Sequence, residues 1–328
     1  MDGGGSKTHC IVLDRSGRLH GFGSSGPSNW EGVGLDGAAT ALSEAIARAA
    51  DPAGVAPDQI EAAVFGLGGV DWPSDVDRLE SVLERLPLSG RHVILNDAFI
   101  ALRAGTDSPV GVVIIAGSGT TVAGRNPAGE TFRTLGQGPP LFDDFGSASD
   151  VAERAVQAVA RAFTGRGPET VLSQRLCEVT GVETVAELLE GLSRGVIPIP
   201  SAAPIVISEA NAGDAVARQI VNEAGSALGS SAAVVIRRLQ MGEEAFDVVL
   251  AGGLFRGLNQ LLWDAIYDPV HAAAPRASLV RLTAPPVTGA GLLALELVGQ
   301  EATPQIRRSL SEACSVAEEA DPEKGSRA

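Results

Sequence analysis

The sequence predicts an α/β protein built as two domains, and three observations carry that expectation. A chain of 328 residues exceeds the roughly 100 to 200 residues of one ordinary domain. Apolar strand-like runs alternate with helical periodicities, the pattern of a largely parallel sheet with helices packed on it. Residues 3–22 and 117–134 follow one plan: a glycine loop, a strand, a turn ending in Gly and a second strand. With 45% hydrophobic residues the chain can furnish a core in each domain.

In chain order, Thr8 to Leu13 and Arg18 to Phe22 flank the turn Asp14-Arg15-Ser16-Gly17 and predict a hairpin. A helix is expected from about Asp36, as cap, to Ala50, because Ala41, Leu42, Ala45, Ile46 and Ala49 recur at helical spacing. Glu61 to Leu67 reads as a buried strand closed by Gly68-Gly69, followed by a helix through Val76, Leu79, Val82, Leu83 and Leu86 and a short strand from His92 to Leu95. The second domain opens with Val110 to Ala116, the tight loop Gly117-Ser118-Gly119-Thr120, the strand Thr121 to Arg125 and a hairpin partner, Glu130 to Thr134. Ala-rich helical stretches run through 148–164, 184–194 and 214–240. A strand from Phe246 to Ala251 ends in Gly252-Gly253, which opens a helix through Leu254 and Leu258 to about 267. A strand at Leu279 to Leu282 and a helix at Val287 to Val298 follow, and residues 301–328 read as a tail that frays towards Ala328.

Composition excludes several classes of function. A net charge of −15, from 25 basic and 40 acidic residues, repels phosphate backbones, and 4% aromatic residues leave few stacking platforms, so nucleic acid is not the expected partner. No apolar run approaches the ~20 residues that span a bilayer, and the segment after Met1 lacks the basic and apolar regions of a signal peptide; neither membrane association nor secretion is expected, and the default location is cytoplasmic. Cys10, Cys177 and Cys314 lie far apart, and His9, His20, His92 and His271 do not cluster, which disfavours a disulfide framework and a Cys/His metal site. An anionic ligand on so acidic a chain must be held locally, by backbone amides or a metal.

Four segments could carry chemistry. Asp2-Gly3-Gly4-Gly5-Ser6-Lys7-Thr8 precedes a strand, and its missing β-carbons would let consecutive N–H groups approach a phosphate. It lacks the spacing of a Walker A loop and opens no helix, so a linker is the competing reading. Gly117 to Thr120 repeats that setting in the second half, where an ordinary hairpin turn is the alternative. Asp97 ends a short strand, where a carboxylate faces the crevice of an open α/β sheet and could act as a general base; equally, Asn96 or Asp97 could simply cap the next helix. Gly252-Gly253 could receive a nucleotide base or ribose, or make only a tight strand-to-helix connection.

Together these residues resemble the BadF/BadG/BcrA/BcrD-type ATPase family, and within it the N-acetylglucosamine kinase-like sugar kinases of the actin, Hsp70 and sugar kinase superfamily. Asp2 to Thr8 is similar to the family's D-G-G-G-T-K-T phosphate loop with Ser6 in place of Thr, and Gly26-Pro27-Ser28-Asn29 to its G-x-x-N substrate loop. Gly66-Leu67-Gly68-Gly69-Val70-Asp71 resembles the G-L-A-G-V-D run, Asn96-Asp97-Ala98 the segment bearing the catalytic Asp, Gly117 to Thr120 the second phosphate loop, Gly252-Gly253 the adenosine element, and Pro286 to Ala294 the closing helix. The matches fall in the family's order from residue 2 to about 298.

The resemblance implies two RNase H-like, actin-like ATPase domains flanking a nucleotide cleft, residues 1–109 and 110–300, the second with a helical insertion at about 148–240. It implies ATP bound by Gly3, Gly4, Gly5, Ser6, Lys7, Thr8, Gly117, Ser118, Gly119, Thr120, Gly252 and Gly253. Mg²⁺ would be met by Asp2, and Asp97 would be the base. The small-molecule substrate would be a sugar, N-acetylglucosamine, glucosamine or a related hexose, held by Asn29, Gly69, Asp97, Gly117 and Asp144. A homodimer is the assembly to test.

Two features depart from the family. Its G-W-G…G-D-E-G-S segment appears as residues 136–147, with Gln137 for the Trp and Phe145 for the Glu, while Asp144 is kept and Pro139-Pro140 fall where the sugar would bind. Only Met1 precedes the Asp2 loop, where the family has a strand of several residues, so the first strand is expected to be truncated. Two other readings therefore stay open: an ATPase that activates a partner through an iron–sulfur cluster, and a sugar or nucleotide sensor without turnover.

Overall fold

In the computed structural model, which describes residues 1–139, 142, 144–199, 201–257 and 259–321, the chain opens with a strand of two residues, β1 (Asp2–Gly3), and then the expected hairpin, β2 (Thr8–Leu13) and β3 (Leu19–Ser25). The hairpin turn closes on one carboxylate: Asp14 Oδ1 accepts from the Ser16 N–H at 2.8 Å and the Arg18 N–H at 3.2 Å, and Gly17 supplies the left-handed backbone, φ +82°.

The first helix, α1 (Trp30–Ala53), begins six residues before the expected cap. Its cap is Asn29, whose side chain accepts from the Glu31 N–H at 3.0 Å, and Asp36 instead pairs with Arg85 at 2.8 Å. Gly34, at φ +72°, interrupts the helical backbone, and this break hides the first turn from a periodicity search.

Next come β4 (Ala62–Leu67), α2 (Pro73–Leu83), β5 (Arg91–Asn96) and α3 (Asp97–Gly105). The sheet order is β3-β2-β1-β4-β5, with β1 antiparallel to β2 and parallel to β4. Alternate side chains serve opposite faces, as a strand requires. Cys10, Phe65 and Leu67 join Leu42, Ile46 and Leu79 in one core, whereas Val64 packs with Ile100 and Ala290.

The second sheet holds β6 (Gly111–Ala116), β7 (Thr120–Arg125) and β8 (Thr131–Arg133), followed by the helices α4 (Ala148–Phe163), α5 (Leu172–Thr180), α6 (Val185–Ser193), α7 (Ala203–Ala212) and α8 (Ala215–Arg238). α5 and α7 were not expected from periodicity; both are short, and Gly181 and Gly213 end them in the left-handed conformation. After β9 (Asp247–Ala251), Gly253–Phe255 forms one 3₁₀ turn rather than the start of the expected helix. Leu258 lies outside the described residues, and the helix proper is α9 (Gln260–Ala273). It packs closely on α8 because a β-carbon on Gly229 would stand 2.6 Å from the Ile266 carbonyl oxygen. With β10 (Ser278–Arg281) the sheet order is β10-β9-β6-β7-β8.

The last two helices are α10 (Val287–Leu297) and α11 (Pro304–Glu319). The chain divides into two compact units, residues 1–111 with 280–328, and residues 112–279. The end of the chain thus belongs with the first unit, where the sequence suggested the second domain and a loose tail. Gly289 lets α10 approach α3, since a β-carbon there would stand 1.9 Å from the Ile100 carbonyl oxygen. Arg103, 2% exposed, binds Glu296 at 2.8 Å and the Ala302 carbonyl at 3.0 Å. Leu310 and Cys314 of α11 are buried beside Ile11 and Phe22, so residues 304–319 are a packed helix; residues 322–328, for which fraying was expected, lie outside the described residues.

Candidate active site

In the first unit the glycine loop leaves the sheet at β1 and returns in β2, closed by a hydrogen bond from the Gly4 N–H to the Lys7 carbonyl at 3.0 Å. The loop is tied to the segment before α1: the Gly4 carbonyl accepts from the Ser28 and Asn29 N–H groups at 3.0 and 3.2 Å, and the Thr8 hydroxyl donates to the Gly26 carbonyl at 2.8 Å. Gly3 has no room for a side chain, with Ser28 Oγ 2.3 Å and Leu67 Cδ2 2.6 Å from where a β-carbon would stand, whereas Gly5 faces open space.

Asp97 is the first residue of α3, and the capping question resolves in favour of its neighbour. Asn96 Oδ1 accepts from the Ala98 N–H at 3.1 Å and its amide donates to the Val70 carbonyl at 3.2 Å, so the cap is supplied without Asp97. A β-carbon placed on Gly68 would lie 3.7 Å from both Asp97 Oδ2 and the Asn29 side-chain nitrogen. Two polar groups from segments 68 positions apart therefore border one point at the ends of β4 and β5. Gly69, at φ +78°, completes the surround: its carbonyl accepts from Trp30 Nε1 at 2.7 Å, and Asn29 Oδ1 would stand 2.5 Å from any β-carbon there.

Asp2, half-buried, lies close enough to Asp97 to feel its charge. Loss of solvation first, and the Asp97 charge second, push its carboxyl up to about 7. Lys7 turns elsewhere and pairs with Glu318 of α11 at 2.5 Å, its own side chain half exposed. Of the sequence-proposed loop residues it is the one whose charged end is engaged by a carboxylate away from the loop.

In the second unit the turn between β6 and β7 is closed by the Gly117 N–H donating to the Gly119 carbonyl at 2.9 Å. The Gly117 carbonyl accepts from the Ala148 N–H at the start of α4 at 2.8 Å, and the Thr120 hydroxyl donates to the Ile115 carbonyl at 3.1 Å. Nothing lies within 4 Å of a β-carbon placed on Gly117, Gly119 or Gly253. Gly252 differs: it has φ +102°, and the Ala116 carbonyl oxygen stands 2.4 Å from where its β-carbon would be. The glycine turn after β9 is thereby seated on the end of β6, the strand that leads into Gly117.

Asp144 has a structural duty. Its Oδ2 accepts from the Gly136 and Gln137 N–H groups at 2.6 and 3.3 Å, closing the 136–144 loop. Ser147 caps α4 by accepting from the Asp150 N–H at 3.0 Å, Asp150 accepts in return from the Ser147 N–H at 2.8 Å, and Phe145 lies under the Arg154 guanidinium at 5.1 Å. Pro140, Leu141 and Asp143 of this segment lie outside the described residues.

Sequence reasoning missed Ser28 and Trp30. Ser28 is buried 2.8 Å from the Thr8 hydroxyl, and Trp30 carries the Arg78 guanidinium 5.3 Å from its ring centre. A Trp directly after the G-x-x-N run was the available signal. All three cysteines are buried, so none is presented at the surface to share an iron–sulfur cluster with a partner. No helix among the described residues is long and apolar enough to cross a membrane.

The sequence profile of the BadF/BadG/BcrA/BcrD ATPase family matches residues 1–294. The chain belongs to this family. The chain is 28% identical over 299 residues to an N-acetylmuramic acid/N-acetylglucosamine kinase from Clostridium acetobutylicum, covering 90% of this chain and 96% of that protein. It is 31% identical over 309 residues to an N-acetyl-D-glucosamine kinase from Dictyostelium discoideum, with the same shares covered. The fold matches the crystal structure of a candidate N-acetylglucosamine kinase from Chromobacterium violaceum, with TM-score 0.68, 24% identity, and 89% and 96% of the two chains covered. A ROK hexokinase from Thermus thermophilus matches at TM-score 0.53 and 20% identity over 90% and 97% of the chains. Both units are thus the two α/β domains of the actin-like sugar kinase fold.

Proposed function

We propose that the protein is an ATP-dependent sugar kinase that phosphorylates an amino sugar, N-acetylglucosamine or a close relative, with Asp97 as general base. The observation that carries this reading is that Asp97 Oδ2 and the Asn29 amide border one point beside Gly68, each 3.7 Å from it, next to a glycine loop that exposes backbone at Gly5. Phosphoryl transfer asks mainly for alignment and charge neutralisation. A carboxylate at the strand end, relieved of capping by Asn96, can take the proton of the attacking hydroxyl. Asn29, whose Oδ1 caps α1, offers its amide N–H groups to ring hydroxyls or an acetamido carbonyl, and Gly69 admits the Asn29 side chain where any β-carbon would collide with it.

Phosphate would be held by backbone amides, which suits a chain of net charge −15: Gly3 to Thr8 in the first unit, Gly117 to Thr120 in the second, with Gly252 and Gly253 against the adenosine. The Lys7 pairing with Glu318 leaves that work to the amides and hydroxyls. Asp2 suits Mg²⁺ held largely through water and phosphate, because such a hydrated ion takes only one or two protein carboxylates. The ion, when bound, neutralises charge on the phosphoryl group. With Asp144 Oδ2 engaged by Gly136 and Gln137, its part in sugar binding would be to shape the loop.

The test is ATP consumption across a panel of N-acetylglucosamine, N-acetylmuramic acid, glucosamine, glucose and N-acetylmannosamine. Sugar-dependent ADP release with an acetamido sugar is expected. ATP binding without turnover on any sugar would replace the kinase reading by a sensor, and an iron–sulfur absorbance band in anaerobically purified protein would replace it by the activator ATPase.

A further inference from the structure

The one basic side chain of the first glycine loop is held by the last helix of the chain. Lys7 Nζ donates to Glu318 Oε1 at 2.5 Å, across 311 positions of sequence. The two partners are unequally fixed: the Lys7 side chain is 53% exposed and that of Glu318 21%. α11, which carries Glu318, is firmly seated in the first unit. Its Leu310 and Cys314 are buried with Val287 and Leu292 of α10, against Ile11, Leu13 and Phe22 of the hairpin strands. Ile306 fills the space that a β-carbon on Gly17 would need. A packed element therefore presents the carboxylate, and the lysine reaches it on a flexible stem.

That placement works against the helix that bears it. Glu318 and Glu319 close α11, whose last turn holds no basic residue, and the C-terminal end of a helix favours cations over anions. A carboxylate beside a phosphate loop also opposes the anion that the loop is proposed to hold. Burial and the Asp97 charge dominate the Asp2 carboxyl, but weaker pulls on it, downward from Lys7 and upward from Glu318, put both charges within reach of the loop's acidic start. A local rule broken at one residue and compensated by another marks a position kept for function. The family profile matches residues 1–294 and α11 lies beyond it, so the family pattern does not by itself give Lys7 this partner.

We propose that Glu318 is a positioning residue for nucleotide binding: by engaging the Lys7 ammonium it keeps that charge off the phosphates, so that α11 sets the affinity of the loop for ATP. The proposal rests on the reading of Gly3 to Thr8 as a phosphate loop. With the pair intact, the loop meets phosphate through backbone amides and hydroxyls. With Glu318 neutralised, the ammonium is released and can donate a charge-assisted hydrogen bond to a phosphate oxygen.

The experiment is calorimetric titration with ATP and Mg²⁺ on the full chain, Glu318→Gln, Lys7→Ala and the double variant. Sugar is left out, which separates the proposal from the choice of acceptor. Glu318→Gln should tighten ATP about three- to tenfold and leave adenosine, which has no phosphate, within about twofold. In the Lys7→Ala background the same substitution should change ATP affinity less than about twofold. Glu319→Gln removes an equal charge from the same turn and should also change it less than about twofold. An equal gain from Glu318→Gln with and without Lys7 would overturn the proposal, because Glu318 would then act only by repelling the nucleotide. So would the absence of any gain while every variant binds ATP. Weaker ATP binding together with a lowered melting point in Glu318→Gln would make the pair a fastening for α11 and would likewise overturn it. A full chain that binds no ATP would first remove the phosphate-loop reading, and the proposal with it.

Discussion

The two glycine loops follow one plan and are put to different use. Both connect a strand to a strand, and each is closed by a single backbone hydrogen bond, Gly4 to Lys7 and Gly117 to Gly119. The first is bordered by acid: Asp2 precedes it, and Asp97 lies near enough to raise the Asp2 pKa. The second contains no charged side chain, only Ser118, Thr120 and the two glycines Gly117 and Gly119, both in open space. The same backbone device therefore stands in two settings. One loop is bordered by two carboxylates, where the proposed function puts the base and the cation, and the other offers neutral donors alone.

The comparison breaks most sharply at Asp97. Asp97→Asn should lower kcat by about 10³-fold while changing ATP affinity less than about threefold, since Asn96 keeps the helix cap. Steady-state kinetics with nucleotide titration checks both halves, and near-normal turnover would remove Asp97 as the base.

Gly252→Ala strikes the second loop through packing. A methyl group at φ +102° would meet the Ala116 carbonyl, so we expect a loss of about 2 to 4 kcal/mol in unfolding free energy, read by denaturant melts. Gly253→Ala, with open space around it, should lose under about 1 kcal/mol.

Asp2→Asn tests the acidic side by pH. The folded pKa of about 7 lies above the ordinary 3.8, so the stability Asp2 contributes is complete below about pH 4 and is lost as the pH rises through about 7. The amide cannot ionise and avoids that loss. Its melting point should match the parent near about pH 4 and exceed it by several degrees near about pH 8; a constant difference across the range would show that Asp2 does not titrate there.

Gly119→Ala probes the neutral loop directly. With nothing within 4 Å the fold should be unaffected, whereas a methyl group standing before the phosphate should raise KM for ATP about three- to tenfold, roughly 1 kcal/mol. The smallest effect is expected at Lys7→Ala. A half-exposed ion pair with Glu318 is worth under about 1 kcal/mol, and turnover should change less than about twofold if backbone amides carry the phosphate.

Much of this was legible in the sequence because local patterns encode local structure. Alternating strands and helices, the two glycine loops and the acid at the end of β5 follow from spacing, turn chemistry and periodicity over a few residues. Whether Asn96 or Asp97 caps α3 was undecided, because both can accept the same N–H groups; only the fold shows Asn96 oriented inward to Val70. The first turn of α1 was hidden by Gly34, and α11 by a segment whose only buried apolar anchors are Leu310 and Cys314.

By itself the sequence determined most of the elements, their order and the two glycine loops proposed to hold phosphate. Tertiary structure alone decided that Gly252 rests on Ala116, that Asn29 and Asp97 border one point beside Gly68, that Lys7 answers to Glu318 and that residues 280–321 return to the first unit. The physical reason is reach: propensity and periodicity act over one or two turns of chain, whereas steric exclusion, desolvation and charge act through space between residues that no local pattern connects.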